Sequence, residues 1–264
     1  MVEIVFHQAH FFRRIVDSLK GLVEEITFEC DSNGMNLQAM DVSHVSLISI
    51  DLPESCFETY SCEGGLSLSF NVETLVKVLK SAGSNDVLTI RTEKEKEDIE
   101  IQLAAPTDDK ITKFKLKPID VDADAVSIPE HTYRAKLTFS SNALSKLVKS
   151  LAEVDDSVVV RCNEGSVTFS VSASTFNSST TFTSGGPAEN ADEEIEIDVS
   201  EECKVSYALR YLKVISGSSA LANRVTLCFS PHFPLLVEYD MNEGGFVRFY
   251  LAPKVEDSGS EDEI

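Results

Sequence analysis

Two periodicities alternate along the chain. Short runs of alternating or consecutive apolar residues, bounded by turn residues, predict β-strands. They are Glu24–Cys30, Met35–Ala39, Val45–Leu52, Leu66–Phe70, Val87–Arg91, Ile99–Leu103 and Thr112–Lys117, then Ala135–Phe139, Val158–Cys162, Ser166–Val171, Glu194–Val199, Val225–Phe229, Leu235–Tyr239 and Gly245–Leu251. Four segments keep apolar residues at helical spacing instead, at about 9–21, 72–81, 141–152 and 207–216. The order is helix, strands, helix, strands, and then the same again.

The letters repeat as well. Ile15–Leu19 resembles Leu147–Leu151, and Phe28–Gly34 resembles Val160–Gly165, at an offset near 132. Val76–Ser81 resembles Leu212–Gly217 at an offset of 136. A duplicated α+β fold follows, with two helices packed on antiparallel sheet in each half. The halves are expected at 1–117 and 135–255. Between them, Pro118–Tyr133 is acidic and without period and reads as an extended connector, 118–134. Glu93–Asp98 reads as a charged hairpin tip, Ser184–Glu193 as a flexible loop, and 256–264 as a disordered acidic tail.

Charge changes the picture. The chain of 264 residues holds 44 Asp+Glu against 23 Lys+Arg, a net −21. Taken whole, that argues against nucleic acid and anionic membranes as partners. The placement of the cations reverses the argument. The four helical cores carry Arg13, Arg14, Lys20, Lys77, Lys80, Lys146, Lys149, Arg210 and Lys213 against only Asp17 and Glu73. On a helical wheel these cations lie opposite the apolar arcs, such as Phe12, Ile15, Val16 and Leu19 in the first helix. Four basic helix faces in an acidic chain point to a polyanion, and the phosphate backbone of DNA is the obvious one. The faces carry little aromatic interleaving apart from Tyr207 and Tyr211, so backbone contact without sequence reading is expected.

With 42% hydrophobic residues the chain can build its core without staples. Six scattered cysteines, none in a C-x-x-C, read as reduced thiols of the cytosol or nucleus. Residues 1–6 do not read as a signal peptide, and no apolar run is long enough to span a membrane. No nucleotide-binding, metalloprotease or nucleophile-elbow motif is present, so no enzyme activity, metal or cofactor is expected. Asp41 with His44 and Asp155 with Asp156 are the nearest approach to acid–base or Mg²⁺ chemistry, and no third group accompanies either pair.

Leu37–Leu47 (LQAMDVSHVSL), Tyr207–Leu212 (YALRYL) and Leu251–Lys254 (LAPK) resemble the signatures of the proliferating cell nuclear antigen family, the eukaryotic sliding clamps, and the likeness covers essentially the whole chain. The resemblance implies a nuclear homotrimer, a closed ring whose helices line a hole threaded by duplex DNA. Such a ring serves DNA replication and DNA repair as a processivity factor and tethers DNA polymerase, flap endonuclease, DNA ligase and the clamp loader through short peptides. The implied peptide groove is Met40, His44, Val45, Leu47, Val126, Ile128, Pro129, Phe233, Pro234, Leu251, Ala252 and Pro253. The implied subunit interface pairs Lys110, Ile111, Lys113, Lys115 and Lys117 of one chain with Phe176, Ser178, Thr180 and Phe182 of the next. Two positions depart from family habit. Glu164 occupies a turn where a modifiable Lys is common, and Ser127 replaces Gly or Lys in the connector. Two rival readings are a clamp-like checkpoint subunit of a heterotrimer, and an acidic hub whose basic faces pack inside protein.

Overall fold

The computed structural model describes residues 2–62, 64–92, 98–107, 109–121, 128, 131–185, 194–241 and 244–255. Residues 93–97 of the expected hairpin tip, connector residues 122–127, 129 and 130, loop residues 186–193 and the tail 256–264 lie outside these residues.

The first half runs β1 (Val2–Phe6), α1 (Ala9–Leu19), β2 (Glu25–Cys30), β3 (Gly34–Met40), β4 (Ser46–Pro53), β5 (Thr59–Cys62), β6 (Leu66–Asn71), α2 (Val72–Leu79), β7 (Val87–Thr92), β8 (Ile99–Ala104) and β9 (Ile111–Leu116). The second runs β10 (Ala135–Ser140), α3 (Ser141–Leu151), β11 (Ser157–Asn163), β12 (Ser166–Ser172), β13 (Asn177–Thr183), β14 (Glu196–Val199), β15 (Cys203–Ala208), α4 (Leu209–Ser216), β16 (Arg224–Phe229), β17 (Leu235–Asp240) and β18 (Phe246–Leu251). Every strand pair of known register is antiparallel.

The duplication holds at the level of pairing. In the first half, sheets run β5-β1-β7-β8-β9 and β4-β3-β2-β6. In the second, the counterparts run β14-β10-β16-β17-β18 and β13-β12-β11-β15. By compactness the chain falls into two units. One is Met1–Pro129 with Ala220–Ala222 and Tyr239–Arg248, and the other is the remainder. The first residues of β18 thus belong to unit 1, where β18 neighbours β4.

Three strands escape the sequence pattern. Val2–Phe6 alternates buried and half-buried residues as β1. Thr59–Cys62 is a four-residue edge strand without an apolar run. Cys203–Ala208 forms β15, so α4 begins at Leu209, not at 207. β13 was expected only from the family resemblance.

Each helix buries one stripe. In unit 1, Phe12 of α1 sits between Phe6 and Phe28, with ring centroids 4.8 and 5.8 Å away. In unit 2, Phe139, Phe169 and Phe182 form the corresponding cluster at 4.8 and 5.9 Å. Helices α2, α3 and α4 start directly where a strand ends, and the Asn71 side chain caps α2 by accepting from the Thr74 N–H at 3.0 Å. The short strand-to-helix joints fix which residues of each helix turn away from the core.

Candidate nucleic-acid interface and docking surfaces

The cations expected to face DNA lie off the buried stripes. Lys20, Lys77, Lys80, Lys146, Lys149, Arg210 and Lys213 are exposed, and Arg13 and Arg14 are half-buried. The two units treat them differently. In unit 1, Arg13 and Lys20 flank Asp17 at 3.5 and 3.7 Å, and Lys77 meets Glu73 at 3.6 Å. In unit 2, Lys146, Lys149, Arg210 and Lys213 have no carboxylate partner among the described residues. Exposed pairs are worth about 0–1 kcal/mol, so a phosphate displaces such a carboxylate at little cost.

Arg14 is held by its own fold. It donates Nη1–H to the Ala220 carbonyl at 2.8 Å, and its Nε is buried without a hydrogen-bond partner among the described residues. Its reach toward a ligand is therefore smaller than the wheel implies. The two tyrosines expected on a basic face are not there. Tyr207 is fully buried in β15, and Tyr211 is buried with the Arg210 guanidinium 4.9 Å from its ring. Tyr207 belongs to β15 because α4 starts two residues later than its apolar spacing suggests, and Tyr211 falls on the buried stripe of α4.

The loop between β3 and β4 is built on one carboxylate. Asp41 accepts N–H groups from Ser43 at 2.9 Å, Val45 at 2.8 Å and Ser46 at 2.5 Å. Burial pushes its pKa up, but the Ser46, Ser43 and Val45 donors outweigh that and hold it below the usual carboxylate range. The turn puts His44 at φ 55 with Nδ1 2.9 Å from Met40 Sδ, and leaves Val42 85% exposed. Asp41 is thus spent on loop geometry, and an acid–base pair with His44 is not formed. Asp155 is similarly spent, on the Asp156 and Ser157 N–H groups.

Residues expected in the peptide groove divide. Met40, Val45, Ile128, Phe233, Pro234, Ala252 and Pro253 are half-buried, and His44 is exposed. Leu47 and Leu251 are buried, at 6% and 0% exposure, so both are core residues rather than an open lining. A strand's alternation cannot say which face a neighbouring element covers. Val126 and Pro129 lie outside the described residues. Sequence reading missed the aromatic group beside Phe233. His131 stacks on Phe233 at 3.8 Å, Tyr133 meets both rings edge-on, and its hydroxyl donates to the Pro234 carbonyl at 3.2 Å. The alternate placing of His131 and Tyr133 was the available signal.

Two strands end their sheets with unfilled backbone groups. In the β8·β9 ladder the Ala105 N–H donates to the Lys110 carbonyl at 3.0 Å. That fixes the phase. Thr112, Phe114 and Leu116 bond to β8, and the backbone groups of Ile111, Lys113 and Lys115 face the open side. In the β12·β13 ladder, Ser184 donates to Gly165 and Ala173 to Phe176. The open side therefore belongs to Asn177, Ser179, Thr181 and Thr183. Ile111 and Phe176 are 52% and 54% exposed beside these edges. Lys110, Lys113, Lys115 and Lys117 are exposed, Thr180 is exposed and Ser178 half-buried. Phe182 is a correction, because its ring packs inward on Phe139 and its backbone groups bond to β12.

Among the described residues no three His, Cys, Asp or Glu converge as a metal-ligating group, and no helix is long and apolar enough to cross a membrane.

Comparison with known proteins is consistent along the chain. Residues 1–126 match the family model for the N-terminal domain of proliferating cell nuclear antigen, and residues 127–254 match that for its C-terminal domain. The proliferating cell nuclear antigen of Chaetomium thermophilum is 36% identical over 257 residues, covering 97% of this chain and 99% of the relative.

Proposed function

The chain belongs to the proliferating cell nuclear antigen family and is a DNA sliding clamp, a processivity factor and docking platform; from that premise we propose how its own residues perform the task. Arg13, Lys20, Lys77, Lys80, Lys146, Lys149, Arg210 and Lys213 face the duplex, with Arg14 contributing from behind. The carrying observation is that the formally charged residues which the four helices turn away from their buried stripes are Lys and Arg, offset by Asp17 and Glu73 alone. Contact is to the phosphate backbone and independent of sequence, because a single amide side chain, Asn142, lies among those cations. The acidic remainder repels DNA elsewhere, and the ring moves along the duplex without holding one site.

Three chains close head to tail, with β9 of one completing the sheet that ends at β13 of the next. The halves 1–117 and 135–255 supply the two similar parts of each subunit, with 118–134 connecting them. Short peptides of the polymerase, flap endonuclease, ligase and clamp loader dock around Met40, His44, Val45, Ile128, Phe233, Pro234, Ala252 and Pro253. The site of action is the nucleus, and the chain itself catalyses nothing.

Charge reversal at Lys77, Lys80, Lys149 and Arg210 tests the reading. The expected result is loss of polymerase stimulation on primed circular DNA, with assembly and peptide binding intact. Unchanged long synthesis contradicts it and favours the acidic hub. A checkpoint subunit is distinguished by mass, since only a self-assembling chain of 29.0 kDa gives a particle of about 87 kDa without other subunits.

A further inference from the structure

Cys162 near the end of β11 lies directly across from Cys203, the first residue of β15. The Leu209 N–H donates to the Asp156 carbonyl at 2.8 Å, and this sets the phase of the ladder. Counting in twos along it, Cys162 and Cys203 are a mutually hydrogen-bonded pair, with Cα atoms about 5.5 Å apart in such geometry. That separation is the usual one for a disulfide, about 5.5–6 Å. Both side chains point inward, at 1% and 7% exposure, and the two thiols are hydrogen-bonded to each other.

The other cysteines lack this placement, although the Cys62 thiol donates to the Cys30 carbonyl at 3.3 Å. Cys30 faces Met35 and Leu66, Cys62 faces Val2, and Cys228 faces Lys136 and Leu236. Cys56 is in the turn before β5. The pair is also asymmetric. The hydrogen bond from Cys162 and the nearby Arg134 guanidinium favour the Cys203 thiolate against burial and Glu201, and its pKa falls below the ordinary thiol value. The same hydrogen bond and burial push Cys162 up. β15 ends its sheet at the side away from β13, so the proposed subunit edge does not cover it.

We propose that Cys162 and Cys203 are a redox-active pair that closes to a reversible disulfide on exposure to hydrogen peroxide. The Cys203 thiolate attacks one peroxide oxygen, forming an S–O bond as the O–O bond breaks. The hydroxide released takes a proton and leaves as water. The Cys162 sulfur then attacks Cys203 sulfur, the S–S bond forms, the S–O bond breaks, and a second water leaves with the Cys162 proton. Two thiols lose two hydrogens, and one peroxide becomes two waters. Side chains at a hydrogen-bonded pair stand farther apart than at the alternate pair, so closure draws the start of β15 inward.

The test uses the full-length protein. It is treated with dilute hydrogen peroxide, its remaining thiols are alkylated under denaturing conditions, and it is mapped by mass spectrometry without reduction. The expected result is a loss of about 2 Da per chain, a linked peptide pair containing Cys162 and Cys203, and full reversal by a dithiol. In Cys162→Ser, Cys203 should instead be trapped as a sulfenic acid by a dione reagent. In Cys203→Ser, Cys162 should remain alkylatable. Should either variant fail to fold, the wild-type map alone decides. Oxidation of Cys30, Cys56, Cys62 or Cys228 ahead of an unlinked Cys162 and Cys203 overturns the proposal.

Discussion

The two halves share a strand order and a helix pair, yet they finish their edges differently. β18, the last strand of the second half, has its first residues beside β4 in unit 1. Among the described residues its counterpart β9 has no neighbour beyond β8, and β13, the counterpart of β4, has none beyond β12. Two open edges, β9 and β13, are what the proposed head-to-tail assembly requires, since repetition of such a contact closes a ring when the rotation permits. The halves differ in charge as well. Helix cations of unit 1 mostly sit on Asp17 or Glu73, whereas those of unit 2 have no such partner among the described residues.

The largest effect is expected at the open edge. Lys115 directs its N–H away from β8, so Lys115→Pro removes a donor from the free side and leaves the internal ladder whole. Light scattering should then find a particle of 29.0 kDa in place of the assembly, with unchanged circular dichroism. Phe114→Pro, which breaks the bond to β8, should lower the melting temperature as well. A Lys115→Pro protein of undiminished mass breaks the comparison of β9 with β18.

Core and loop variants sharpen the contrast between β4 and β13. Leu47→Ala opens a cavity at a buried site and should cost about 2–5 kcal/mol in denaturant unfolding. The half-buried Val45, changed to Ala together with Ile128, should leave stability nearly unaltered. That double variant should weaken a Q-x-x-aliphatic-x-x-aromatic-aromatic peptide by about 2 kcal/mol, roughly thirtyfold, in calorimetry. Equal affinity would move the docking site away from this loop.

The smallest effect concerns Asp41. Its folded pKa lies below the unfolded value, so its stabilisation is full above the ordinary carboxylate pKa of about 3.9 and is lost as pH falls through the folded value. Asp41→Asn should therefore cost about 1 kcal/mol at pH 7 and nothing measurable once pH lies below both values. The β12–β13 turn, where Ala173 donates to Phe176 at 3.0 Å, has no such carboxylate and should show no matching acid dependence.

The helix faces were legible because burial on one side imprints a 3.6-residue period, and the cations fall outside it. Most central strands were legible through alternation. β13 was not, since Asn177–Thr183 buries no residue fully and carries little apolar signal. β15 was obscured because its alternation runs straight into α4 at Leu209. The role of Asp41 was hidden too, because a carboxylate that organises backbone N–H groups looks in sequence like one poised for chemistry. The burial of Leu47 and Leu251 depends on which element covers each strand face, a tertiary fact that no local period encodes.

The central claim is that this chain encloses DNA topologically. The direct measurement is retention of loaded protein on closed circular duplex before and after a single restriction cut, at fixed salt. The account predicts stable retention on the circle and rapid loss once ends exist, because mobile backbone contact cannot hold a ring on a linear molecule. Equal retention on circular and linear DNA would contradict it.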